Sequence, residues 1–277
     1  MSWFEAIVLG LVQGLTEFLP ISSSAHLRIT AALAGWHDPG AAFTAVTQIG
    51  TETAVLLYFR RDIGRIISTW VRSLGRPELR SHLDARMGWL VIVGTIPIGV
   101  LGVTLKETIE GPFRDLRLIA ATLIVLGIIL GVADRFATQR LKLDDLSVRD
   151  GLLFGLAQSM ALIPGVSRSG ATITGGLLLG YTREAAARYS FLLAIPAVLA
   201  SGFFELSEIG DSHVSWGPTI VATLIAFLVG YAAIAWFLRY ISTRSFAPFV
   251  IYRIALGVLI LVLVGTGVLA PESGAFH

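Results

Sequence analysis

Apolar runs dominate the chain, and they sort into two kinds. Six of them, at 41–59, 87–105, 116–133, 189–206, 217–238 and 248–270, are continuous. Each is near the ~20 helical residues that cross a hydrocarbon core about 30 Å thick. Two others, 3–33 and 150–180, are broken midway by proline and polar residues. The first breaks at Phe18-Leu19-Pro20-Ile21-Ser22-Ser23-Ser24, the second at Ile163-Pro164-Gly165-Val166-Ser167-Arg168-Ser169. Neither half of a broken run is long enough to span. Irregular backbone at membrane depth survives only where protein or a water-filled cavity satisfies its amides and carbonyls. Each broken run therefore predicts a re-entrant helical hairpin that enters and leaves on one side. The expected fold is all-α and integral to the membrane, six transmembrane helices plus two re-entrant hairpins in one domain, 1–277.

The broken runs resemble each other. Offset by 145 residues, Gly10, Leu11 and Gln13 fall on Gly155, Leu156 and Gln158; with a one-residue gap, Pro20 and Ser23 fall on Pro164 and Ser167. Phe113 and Arg117 recur as Phe249 and Arg253. Repeat one then covers 1–135 and repeat two 150–270, each a hairpin followed by three spans. A hairpin keeps the chain on its side and three spans reverse it, so the second repeat is expected upside down, with the two broken tips meeting near the midplane. Most of the 21 Lys and Arg residues fall in 60–86, 134–149, 181–188 and 239–247. The positive-inside rule places those loops in the cytoplasm and both termini outside.

Composition agrees and narrows the chemistry. The 277 residues are 55% hydrophobic and 14% charged, against about a quarter charged in soluble domains. Cysteine is absent, which excludes disulfides, thiolate metal sites and a cysteine nucleophile. The N-terminus lacks a signal peptide's basic n-region and carries Glu5, so residue 1 is expected in the mature chain.

The tips concentrate the polar groups. In the first, Gln13 and Glu17 share a helix face, the serines Ser22, Ser23 and Ser24 open a second helix whose free N–H groups suit an anion, and His26 lies in its first turn. The second tip adds Arg168 among Ser167, Ser169 and Thr172, a fork suited to bidentate phosphate binding. An ionisable residue inside a membrane segment is functional by default, and the set points to phosphoryl chemistry. Which of Ser22, Ser23 and Ser24 attacks phosphorus is left open by the spacing, and some of them must cap. Glu52, near Gln48, is a second intramembrane acid that lines the cavity or pairs with a neighbouring arginine. His37, His82, His213 and His277 sit in loops or the tail, and no chemistry is expected of them. Arg253 reads as an anchor snorkelling to an inner boundary. The Arg-rich 60–86 loop reads as a topology signal facing anionic headgroups, with room for a short amphipathic helix.

The strings QGLTEFLPISSSAH and PGVSRSGAT, with the closing PFVIYR, resemble the undecaprenyl-diphosphate phosphatase family associated with bacitracin resistance, whose motifs are (E/Q)xxxE and PGxSRSxxT. The resemblance covers nearly the whole chain. It implies release of phosphate from undecaprenyl diphosphate, which regenerates the lipid carrier for peptidoglycan, at a site open to the outer face of the bacterial inner membrane. It assigns Glu17, Ser23, His26 and Arg168 as essential residues, and Ser167, Ser169 and Thr172 as phosphate contacts. Gln13 stands where other members carry Glu, and Ala25 where many carry Gly. On this footing a divalent cation, Mg or Ca, is expected on Glu17. Ser23 is expected to attack with His26 as its base, or water activated by His26 to attack directly. The expected partners are undecaprenyl diphosphate and membrane lipid, with a homodimer left open and no nucleic acid. The rival class is a polyprenyl-phosphate flippase or other inverted-repeat transporter.

Overall fold

In the computed structural model, residues 1–37, 40–105, 115–208 and 215–271 are described, except for the side chains of 41 and 203–208. They are helical, with no strand among them beyond one isolated bridge between Leu141 and Tyr181. The helices are α1 Trp3–Thr16, α2 Ser23–Ala34, α3 Gly40–Tyr58, α4 Arg60–Gly75, α5 Leu83–Thr104, α6 Leu116–Phe136, α7 Val148–Ser159, α8 Arg168–Leu178, α9 Arg183–Glu208, α10 Trp216–Ile241 and α11 Ala247–Gly265.

Five helices are long and apolar enough to cross a bilayer: α5, α6, α9 over Arg183–Gly202, α10 and α11. The sixth expected span, α3, has 19 residues but falls short in apolarity. Its Thr47, Thr51 and Glu52 are buried, and it packs between α9 and α10, so its polarity belongs to the protein interior. Helices α1 and α2 have 14 and 12 residues, about 21 and 18 Å at 1.5 Å per residue, short of a full crossing.

The two broken runs share their local chemistry at an ungapped offset. Ser2 caps α1 in a capping box with Glu5, and Ser147 caps α7, its Oγ accepting the Asp150 N–H. Ser22 caps α2 and Ser167 caps α8. Gly35 and Gly180 follow the second helices with φ of 69° and 94°, the left-handed backbone that glycine adopts without strain. Every one of these pairs is 145 residues apart. The one-residue gap drawn from sequence is therefore wrong: Ser22, not Ser23, corresponds to Ser167, and Pro20 corresponds to Gly165. The matching prolines had suggested a register that the backbone does not use. Of the other recurring pair, Phe113 lies outside the described residues, as do His213 and His277.

Each hairpin leans on the other half of the chain: α1 packs along α10, and α7 along α5. The contacts are backbone to backbone. A Cβ on Gly10 would lie 2.6 Å from the Ala222 carbonyl oxygen, and one on Gly155 2.2 Å from that of Gly94. Small residues at such crossings let helices approach closely where lipid supplies no hydrophobic drive. Gly155→Ala is expected to lower the thermal unfolding midpoint in detergent, at a cost of about 1–3 kcal/mol for overpacking. Gly64→Ala, where nothing lies within 4 Å, should raise it slightly through helix propensity.

Candidate active site

The two chain breaks meet inside the helix bundle. At each, one serine adopts a positive φ, 73° at Ser22 and 70° at Ser167, a conformation that costs a non-glycine residue on the order of 1–3 kcal/mol. Each then caps the helix that follows: Ser22 Oγ accepts the Ala25 N–H at 3.4 Å, and Ser167 Oγ accepts that of Gly170 at 3.1 Å. Each also pairs with the serine two residues on, Ser22 with Ser24 at 3.3 Å and Ser167 with Ser169 at 3.2 Å. The residues that open the two helices, Ser23 and Arg168, thus hold equivalent positions in the two halves.

Both reach the same carboxylate. Ser23 Oγ donates to Glu17 Oε2 at 2.5 Å, and Arg168 Nη2 donates to Glu17 Oε1 at 2.7 Å. Gln13 Nε2, one turn back on α1, donates to Oε2 at 3.0 Å. Glu52 enters from α3, its Oε1 accepting from Arg168 Nη2 at 3.2 Å. The side chains of Glu17 and Glu52 are 4% and 1% exposed, so these charges are held away from bulk water. A buried charge cluster of this kind stands only while its members neutralise one another. Three of its atoms have no partner: Gln13 Oε1, Glu52 Oε2 and Arg168 Nη1. The sequence left Glu52 between lining and pairing; the structure puts it in the pair.

The other expected residues fall around this centre with unequal involvement. Ser24 is exposed. Ser169 Oγ donates across the break to the Leu19 carbonyl at 3.1 Å, tying one tip to the other. Thr172 is fully buried, its Oγ1 on the Arg168 carbonyl at 2.8 Å and against the Ser190 hydroxyl, so it braces α8 instead of facing the centre. His26 does not touch Ser23. Its Nδ1 sits 2.7 Å from the Ser22 carbonyl, which can only accept, so Nδ1 carries the proton; Nε2 meets the Tyr252 hydroxyl at 2.7 Å. The two rings stack at 5.5 Å between centroids and 12° between planes. The His26–Ser23 contact expected on the footing of the resemblance is not present here: the ring nitrogens meet the Ser22 carbonyl and the Tyr252 hydroxyl.

Arg253 is the largest correction. It is 0% exposed and does not snorkel. Its Nη1 donates to the Pro20 carbonyl at 3.0 Å, and its Nη2 to those of Gly165 and Val166 at 3.0 and 3.1 Å. Its Nε donates to the Leu123 carbonyl at 3.2 Å. Pro20 and Gly165 are equivalent in the two tips, so one guanidinium clamps matching carbonyls of both breaks. A cation seven residues into an apolar helix was the available signal; assigning it to a boundary hid it, and Tyr252 beside it.

The chain is similar to known proteins over nearly its full length. Residues 6–259 match the family model described as bacitracin resistance protein BacA. Undecaprenyl-diphosphatase 2 of Frankia casuarinae is 73% identical, with 99% of each chain covered. The protein of the same name from Streptomyces avermitilis is 69% identical over 99% of this chain and 98% of its own. That from Agrobacterium fabrum is 60% identical over 98% of each.

Arg253→Lys keeps the charge but cannot present the same fork to carbonyls of both breaks. It is expected to lower stability by about 2–4 kcal/mol, since each stranded buried acceptor costs on the order of 1–3 kcal/mol. Arg117→Lys, at a side chain 63% exposed, should leave the detergent unfolding midpoint unchanged.

Proposed function

The chain belongs to the bacitracin resistance protein BacA family, and from that premise we propose that it is an undecaprenyl-diphosphatase, a multi-pass membrane enzyme that releases phosphate from undecaprenyl diphosphate and returns undecaprenyl phosphate for cell-wall synthesis. The observation that carries the mechanism is the Glu17 carboxylate, shared between the Ser23 hydroxyl and the Arg168 guanidinium.

In this reading Ser23 Oγ attacks the terminal phosphorus and its proton passes to Glu17 Oε2. The bond from that phosphorus to the bridging oxygen breaks, undecaprenyl phosphate leaves, and a phosphoserine remains for water to hydrolyse. The N-termini of α2 and α8 and the free Arg168 Nη1 hold the diphosphate oxygens, so the protein supplies mainly position and charge. His26, its Nδ1 fixed by the Ser22 carbonyl, sits one turn beyond Ser23 and, through its Nε2 and the Tyr252 hydroxyl, serves the water that clears the phosphoserine.

The donors present suit a hard divalent cation, Mg or Ca. Gln13 Oε1 and Glu52 Oε2 are buried oxygens without partners beside Glu17. Among the described residues no three His, Cys, Asp or Glu cluster, so substrate oxygens would complete the shell. Glu17, Glu52 and Gln13 would hold the ion, which neutralises diphosphate charge when bound.

We place both hairpins as re-entrant and the halves as inverted repeats, 1–135 and 150–270. The ungapped match of their caps and the packing of each hairpin on the opposite half support this. The basic loops orient the chain with its site toward the outer face of the inner membrane.

The deciding assay is phosphate release from undecaprenyl diphosphate by purified protein in detergent, with and without chelator. Wild type is expected to turn over and chelator to suppress it. Ser23→Ala should lose roughly three orders of magnitude or more, and acid-quenched wild type should carry phosphate on Ser23. An active Ser23→Ala would make water the nucleophile. No release under any metal condition, with lipid movement across vesicles instead, would overturn the enzyme reading in favour of a transporter. Tyr252→Phe, which keeps the stack and removes the hydroxyl, is expected to lower kcat about tenfold while leaving KM unchanged.

A further inference from the structure

Helix α4 carries charge and apolar surface that the reaction does not use. Ile63, Ile66, Ile67, Trp70, Val71 and Leu74 recur at helical spacing along one face, and Arg61, Arg65 and Arg72 run along the opposite one. Only part of the apolar face is spent on the protein. Ile66 is buried, and Trp70 lies so close to α5 that a Cβ on Gly88 would sit 2.7 Å from its ring. Ile67, Val71 and Leu74 are each half exposed or more. The helix cannot roll to hide them. It is pinned by Arg65 to Asp84 at 2.9 Å and by Asp62 to Arg188 at 2.9 Å, as well as by the Trp70 contact.

The exposed strip has a continuation that identifies its surroundings. Along α5, Trp89, Ile92, Ile96, Val100 and Val103 form an exposed apolar stripe at spacings of three and four, on a helix long enough to span. Trp89 meets Trp70 edge to face at 5.5 Å, so α4 lies at the end of that lipid-facing stripe, at the membrane boundary. The arginines there divide into spent and unspent. Arg65 pairs with two aspartates, Arg60 bonds the Leu57 carbonyl and Arg80 that of Ser73. Arg61, Arg72 and Arg76 are exposed and have no carboxylate partner among the described residues.

We propose that α4 is a binding surface for acidic phospholipid: Arg61, Arg72 and Arg76 hold the anionic headgroups, and the acyl chains lie against Ile67, Val71 and Leu74. An amphipathic helix with arginines above and aliphatic residues below takes this position in the headgroup region, and clusters of basic residues there select anionic lipid. The surface is independent of the diphosphate site, since none of its residues touches Glu17, Ser23 or Arg168.

The test uses the full-length protein in bilayers of phosphatidylcholine with a minority of phosphatidylglycerol. Spin-labelled versions of each lipid report the fraction immobilised at the protein boundary. Wild type should immobilise phosphatidylglycerol several-fold more than phosphatidylcholine, and high salt should collapse that preference, because exposed charges are screened. In Arg61→Gln/Arg72→Gln/Arg76→Gln the preference should fall about fivefold for each arginine that holds a headgroup, up to complete loss. Arg135→Gln/Arg149→Gln/Arg239→Gln, which removes equal charge elsewhere, should keep it. Equal immobilisation of both lipids by wild type, a preference that survives high salt, or equal loss in the two triple variants would overturn the proposal.

Discussion

At the two chain breaks the carbonyls of Pro20, Gly165 and Val166 lie outside any helix, inside the helix bundle. Each stranded group there costs several kcal/mol. Arg253 takes all three with its two terminal nitrogens, and its Nε takes the Leu123 carbonyl. Guanidinium suits this task because its donors lie in one plane at fixed angles, so they can serve carbonyls from separate segments at once. The clamp fixes the height of one break against the other. Ser22 and Ser167 take their positive φ only while that height is held, and the helices they cap then aim Ser23 and Arg168 at Glu17. A charge far into an apolar helix is thus a condition for the site without being part of it.

The halves build the same scaffold and fill it differently. Serines cap both second helices, glycines with left-handed backbone follow both, and Gln13 and Gln158 occupy matching buried positions. At the first residue of the capped helix the match ends: Ser23 in one half, Arg168 in the other. A hydroxyl pair would leave Glu17 without a counter-charge, and an arginine pair would leave it without the hydroxyl donor. Equivalent backbone positions brought to one point therefore present a hydroxyl and a guanidinium side by side to one carboxylate, which repeated residues could not do.

Much of this was legible in sequence because it follows from solvent. Run length against bilayer thickness separates spans from broken runs, and polar residues inside the breaks mark the centre, so Gln13, Glu17, Ser23 and Arg168 stand out. What was not legible depends on contacts between distant segments. Glu52 joins Arg168 across 116 residues, and Tyr252 reaches His26 across 226. Spacing within one helix says nothing about either. The expected contact of His26 with Ser23 depends on ring orientation in the same way: the ring turns to the Ser22 carbonyl and to α11. The proline match misled, since Pro20 and Pro164 share chemistry but not backbone position, and it is the serine caps that set the register.

The charge count of the centre bears on how it can receive substrate. With Glu17 and Glu52 ionised and Arg168 between them, the cluster carries one net negative charge, and a diphosphate brings at least two more. At an effective dielectric of about 20, two like charges 4 Å apart repel by roughly 4 kcal/mol, and Arg168 is already engaged by both glutamates. In the proposed mechanism this repulsion is offset by the N-termini of α2 and α8 and by a divalent cation on the free Gln13 and Glu52 oxygens. Gln13 adds no charge to the centre, and Glu52 from α3 is the second acid on Arg168 Nη2. The arginine meets both carboxylates through one nitrogen, and its Nη1 has no partner among the described residues, which leaves a donor for the phosphate oxygen of the proposed mechanism.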